Sequence, residues 1–87
     1  MIPTDPSDKQ EIYSWLVNIL NEMFELDKAR ITLEANLYSD LDIDSIDAVD
    51  LAVKLKQLTG KRLEPEVFKS VRTVQDVVDA LSALLQK

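Results

Sequence analysis

Three stretches of this chain repeat apolar residues at helical spacing, while sustained apolar–polar alternation, the mark of a half-buried strand, is nearly absent. The one alternating stretch, LYSDLDID, carries acids where a strand would need neutral or β-branched residues. An all-α fold follows. The first helix is placed at about 7–24: Ser7 or Asp8 caps it after Pro6, and Ile12, Trp15, Leu16, Ile19, Leu20 and Met23 make one buried stripe, with Trp15 as a core anchor. The second begins near Ser45 with Asp44 or Ser45 as N-cap and Asp47 in its first turn, and ends near Thr59 with Gly60 as the stop. Ile46, Val49, Ala52, Val53 and Leu55 form its apolar face. A short third helix starts at Pro65, in EPEVFK. The last opens on the capping pair Thr73 and Asp76, buries Val74, Val77, Val78, Leu81, Leu84 and Leu85, and runs to the end.

The architecture expected is therefore a small four-helix bundle, three main helices and one short one, with a long connection after the first. In that connection, about 25–43, Leu26, Ile31, Leu33, Leu37, Leu41 and Ile43 are apolar but fit no single period. An unstructured connection of this length is unusual and often functional. Its apolar residues imply that it lies against the helices, with a short helical turn near 34–39. With 87 residues, the chain reads as one domain, 1–87, that buries roughly 60–65% of its unfolded surface.

Composition removes whole classes of chemistry. There is no Cys, hence no disulfide, thiolate metal site or Cys nucleophile. There is no His, so the usual general base at neutral pH and a Ser-His-Asp triad are both excluded. The net charge of −6 argues against nucleic acid and for partners with basic patches. No apolar run approaches the roughly 18 residues of a membrane span. The opening MIPTDPSDKQE lacks a charged-then-apolar leader, which makes a cytoplasmic protein the expectation; it is expected to be a monomer.

Charge is unevenly spread. Residues 31–50 hold six acids, Glu34, Asp40, Asp42, Asp44, Asp47 and Asp50, and no base. Residues 51–63 hold Lys54, Lys56, Lys61 and Arg62 and no acid. The acids crowd around one hydroxyl, Ser45, in DLDIDSIDAVDL. A calcium loop fits Asp40, Asp42 and Asp44 at its first, third and fifth positions, then fails: Ser45 stands where Gly is needed and Leu51 where the bidentate Glu is needed. No metal site is assigned. Helix capping explains Asp-Ser by itself.

Taken together, Asp44-Ser45-Ile46-Asp47 at a helix start, the acidic loop with Leu37 and Leu41 before it, and the four-helix pattern resemble the acyl carrier proteins, whose signature is Asp-Ser-Leu. The resemblance covers nearly the whole chain. It implies a protein that is not an enzyme but carries 4′-phosphopantetheine on Ser45, transferred from coenzyme A by a phosphopantetheinyl transferase, with acyl groups held as thioesters for fatty-acid-like or polyketide-like lipid biosynthesis. It also implies recognition through Asp44, Ile46, Asp47 and Asp50 by ketosynthases, reductases, dehydratases and acyltransferases with basic docking patches. An acyl pocket would fall among Ala52, Leu55, Phe68 and Val71. Two departures stand out. Asp42 replaces the family's usual Gly, and Ile46 its Leu. Lys54 and Lys56, where many fatty-acid carriers are acidic, point towards carriers of specialised bacterial clusters such as those making aryl polyenes. A peptidyl or other non-fatty carrier with the same attachment, an unmodified interaction protein and a weak divalent-cation binder are the alternatives.

Overall fold

The computed structural model describes residue 5, residues 7–62 and residues 70–86. Among these, three α-helices and one short 3₁₀ turn make up the regular structure, in the order α1 (Lys9–Phe24), the turn Lys28–Arg30, α2 (Ser45–Thr59) and α3 (Val74–Leu85). There is no strand among the described residues beyond one isolated bridge between Asn36 and Thr73. The short helix expected at Pro65 lies outside the described residues.

Of the two caps expected for α1, Asp8 is the one used. Its Oδ1 accepts from the N–H groups of Gln10 at 3.1 Å and Glu11 at 3.3 Å, satisfying donors that the first turn leaves orphaned. The expected stripe is buried at Ile12, Leu16, Ile19 and Leu20, together with Val17; Trp15 and Met23 are half-buried and pack against this core. The helix ends at Glu25, which adopts the left-handed conformation with φ 55°. The chief partner of α1 is α3. Lys9 and Asp79 pair across them at 2.8 Å, but both side chains are about half exposed, so the pair contributes little stability.

The long connection is held as firmly as its apolar content predicts. Ile31, Leu37, Leu41 and Ile43 are buried, and Leu26 and Leu33 half-buried. Asp27 caps the 3₁₀ turn through the Ala29 N–H at 3.0 Å. The Tyr13 hydroxyl donates to the Ile31 carbonyl. In place of a helical turn at 34–39 the chain makes a tight turn over 36–41. Asn36 Oδ1 accepts from Tyr38 and Ser39 N–H at 2.9 and 3.0 Å, its carbonyl accepts from Asp40 and Leu41 N–H, and its own N–H donates to the Asp40 carboxylate at 2.7 Å. Asn serves here because its side chain mimics a backbone acceptor.

This connection docks on the start of α3. The predicted capping box is present: Thr73 Oγ1 accepts from Asp76 N–H, and the Asp76 carboxylate accepts from Thr73 N–H at 3.1 Å and from Arg72 N–H at 3.0 Å. The next two orphan donors are met by the loop. Val74 N–H donates to Ala35 O at 3.0 Å and Gln75 N–H to Leu33 O at 2.9 Å, while Leu37 N–H returns a bond to Arg72 O at 2.8 Å. Every first-turn donor of α3 thus has an acceptor, and the loop is fixed by the helix it caps. Val74, Val77, Val78 and Leu81 are buried as expected, along with Ser82; Leu84 and Leu85 are only half-buried.

Candidate functional site

Ser45 stands where this braced loop meets α2. Leu41 and Ile43 are buried on either side of Asp42, so the acids at 40, 42 and 44 are turned to solvent. Ile43 N–H donates to Leu37 O at 2.9 Å, which places Asp44 at the mouth of the helix. Asp42 takes the left-handed conformation with φ 55°, at the position where the resemblance led one to expect glycine. Aspartate is among the few non-glycine residues that visit this region readily.

Between the two possible caps of α2, the structure selects Asp44. Its backbone is extended and its Oδ1 accepts from Asp47 N–H at 2.9 Å. Ser45 is then the first residue of the helix, exposed, with its hydroxyl relieved of the capping role. Helix N–H groups and the macrodipole place positive potential at this end, which suits a phosphate ester. Asp50 is exposed, and Asp47 half-buried. The helix closes as expected at Gly60, whose φ of 73° is the left-handed C-cap and whose N–H donates to Lys56 O at 2.8 Å.

The apolar face assigned to α2 from sequence needs correction. Ile46 is 71% exposed, Val49 62% and Val53 50%; the residues that enter the core are Ala48, Leu51 and Leu55, with Ala52 half-buried. Two apolar stripes with the same spacing run along this helix. A signal for the right one was available: Asp50 lies four residues after Ile46 and three before Val53, so an acid shares the stripe that stays in water. Of the acyl-pocket candidates, Leu55 and Val71 belong to the core cluster, Ala52 is half-buried, and Phe68 lies outside the described residues. Among the described residues no three acidic side chains come together as a metal site. Two of the acids are engaged locally: Asp40 braces the Asn36 turn and Asp44 caps α2.

What the structure presents here is an exposed serine at a helix start, its hydroxyl free of the capping role and open to modification by another enzyme. Known proteins give this chain its family. The family described as phosphopantetheine attachment site matches residues 14–81. Acyl carrier protein 2 of Ralstonia nicotianae is 56% identical over 75 residues, covering 86% of this chain and 93% of that one. An acyl carrier protein of Coprothermobacter proteolyticus is 36% identical over 78 residues, 90% of this chain and 95% of its own. A meromycolate extension acyl carrier protein of Mycolicibacterium aurum is 33% identical over 78 residues, 90% of this chain and 80% of its own.

The chain belongs to the acyl carrier protein family. It is a carrier rather than an enzyme, and its prosthetic group is 4′-phosphopantetheine. Ser45 fits that group by its exposure, its place on the helix dipole and its freedom from capping. No described helix is long and apolar enough to cross a membrane.

Proposed function

We propose that Ser45 is the residue that carries the prosthetic group, and that this chain acts as a single-domain, monomeric cytoplasmic carrier in fatty-acid-like or polyketide-like biosynthesis. The observation that carries the reading is the division of labour at the start of α2: Asp44 does the capping, leaving the neighbouring hydroxyl exposed to a transferase. The chain has no His to take the hydroxyl proton, so the base belongs to the phosphopantetheinyl transferase that delivers the group from coenzyme A. Once attached, the arm supplies the thiol on which acyl groups ride as thioesters.

Asp44, Asp47 and Asp50, with Ile46 exposed between them, are the recognition face for that transferase and for client ketosynthases, reductases, dehydratases and acyltransferases. Such exposed charges mainly set the association rate and weaken with salt. A bound acyl chain would be sheltered by opening the core around Leu55 and Val71, with the half-buried Ala52 beside them on α2. A thin core makes such an opening accessible.

The test is intact-protein mass spectrometry after incubation with coenzyme A and a broad-specificity phosphopantetheinyl transferase, with Ser45→Ala in parallel. One phosphopantetheine on the wild type and none on the variant is the expected result. Loading of the variant would move the site away from Ser45; no loading of the wild type by several transferases would overturn the reading.

A further inference from the structure

The exposed face of α2 has a polarity that its acidic half alone does not reveal. Residues three and four apart are neighbours on a helix, so Ile46, Val49 and Val53 form one continuous apolar strip in water. At the end near Ser45 this strip is flanked by Asp47 and Asp50; at the far end Lys54 and Lys56 fall on either side of Val53. The centres of the two charged ends are about 10 Å apart along the axis at 1.5 Å per residue. The Debye length at physiological ionic strength is about 8 Å, so a partner senses the two ends separately rather than as one averaged charge.

From this we infer that the enzymes that act on the Ser45-borne group dock through a bipolar surface: an apolar recess for Ile46, Val49 and Val53, cations beside the serine, and carboxylates facing Lys54 and Lys56. The inference rests on the carrier reading and adds the partner's charge pattern to it. An evenly cationic patch meets repulsion at the distal end, so Lys54 and Lys56 select against it. A second copy of this chain is a poor occupant. Two-fold antiparallel pairing of α2 would bring the acidic end of one copy to the basic end of the other, but between molecules that each carry a net charge of −6. One helix face also offers only a few hundred Å², against about 800 Å² per partner in a stable complex. That area suits a client which must dock and leave.

The probe is a carrier-dependent malonyltransferase with an evenly cationic rim, supplied with malonyl-coenzyme A, beside a version whose distal rim cations are reversed to Glu. Phosphopantetheine-loaded wild type, K54E/K56E and K54Q/K56Q are compared by the rate of thioester formation, read by intact mass, after circular dichroism confirms equal helicity. The wild type should favour the reversed enzyme in kcat/KM by about fivefold or more, K54E/K56E should favour the unaltered one, K54Q/K56Q should fall between, and salt should flatten all three. Equal preference by all three chains, or preference of the wild type for the unaltered rim, overturns the inference while leaving the carrier reading intact. Concentration-dependent dimerisation of the wild type that K54E/K56E abolishes would also overturn it, giving the face to a second copy. Failure of Ser45 to load is a separate result, seen before any malonyl transfer, and removes both readings together.

Discussion

Replacing Asp76 with Asn should destabilise the chain in a way that depends on pH. One carboxylate oxygen of Asp76 accepts from Arg72 N–H at 3.0 Å and Thr73 N–H at 3.1 Å. Those two bonds, the Arg72 one foremost, hold the carboxyl below the usual aspartate value of 3.8; the Thr73 hydroxyl and the Arg72 charge add to them, and partial burial opposes them. A hydrogen bond to a charged group contributes about 1.5–3 kcal/mol and a neutral one about 0.5–1.5. The amide keeps the shape and loses the charge assistance. Because Asp76 is only half-buried and water competes, the expected loss is about 1–2 kcal/mol in total. For a domain of this size each kcal/mol shifts Tm by about 4–8 °C. The sign with pH follows from the depressed pKa: the contribution is present above the unfolded value and fades as pH falls through the folded one. Urea denaturation at pH 7, 5 and 3 should therefore show a full gap between wild type and variant at pH 7 and 5, narrowing at pH 3. The same variant should speed hydrogen exchange at the Leu37 amide, which is bonded to Arg72 O, and at the Ile43 amide, which is bonded to Leu37 O beside the site. A gap unchanged at pH 3 would refute the charge-assisted account.

Ser45→Ala should lose loading yet change stability by no more than about 0.5 kcal/mol, because Asp44 is the cap; Asp44→Ala should cost about 1 kcal/mol by the same chemical denaturation. Reversing Asp47 and Asp50 to Lys should slow transferase loading at low salt while leaving the circular dichroism spectrum intact, and unchanged rates would sink the electrostatic account of the acidic end. Glu25→Gly should stabilise by about 0.5–1 kcal/mol, since Glu25 is left-handed at φ 55°, where an L side chain costs about 1–2 kcal/mol and glycine's extra freedom when unfolded returns only part of the gain. A lower Tm for that variant would show that the Glu25 side chain makes a compensating contact.

The parts of this protein that were legible in the sequence are those whose causes lie within about four residues. Asp8 and the Thr73–Asp76 box announce helix starts, Gly60 announces a stop, and the stripes of α1 and α3 have one apolar side each, so only one orientation can bury them. Asp44-Ser45 belongs to the same class, because a cap and the residue after it are set by local hydrogen bonding. α2 is different. Its two apolar stripes, Ile46–Val49–Val53 and Ala48–Leu51–Leu55, satisfy the same helical period, and periodicity cannot rank them. The choice was made by what α2 packs against: the core receives Ala48, Leu51 and Leu55, which turns the other stripe and Asp50 to solvent. The long connection is also decided at a distance. Its carbonyls at Leu33 and Ala35 find their donors at Val74 and Gln75, some forty residues away, as its Leu37 amide finds Arg72 O. Local sequence determined where the helices lie and where the serine sits on one of them. Only the packing of remote segments, through burial and hydrogen bonds that no short window contains, decided which face that helix shows to a partner.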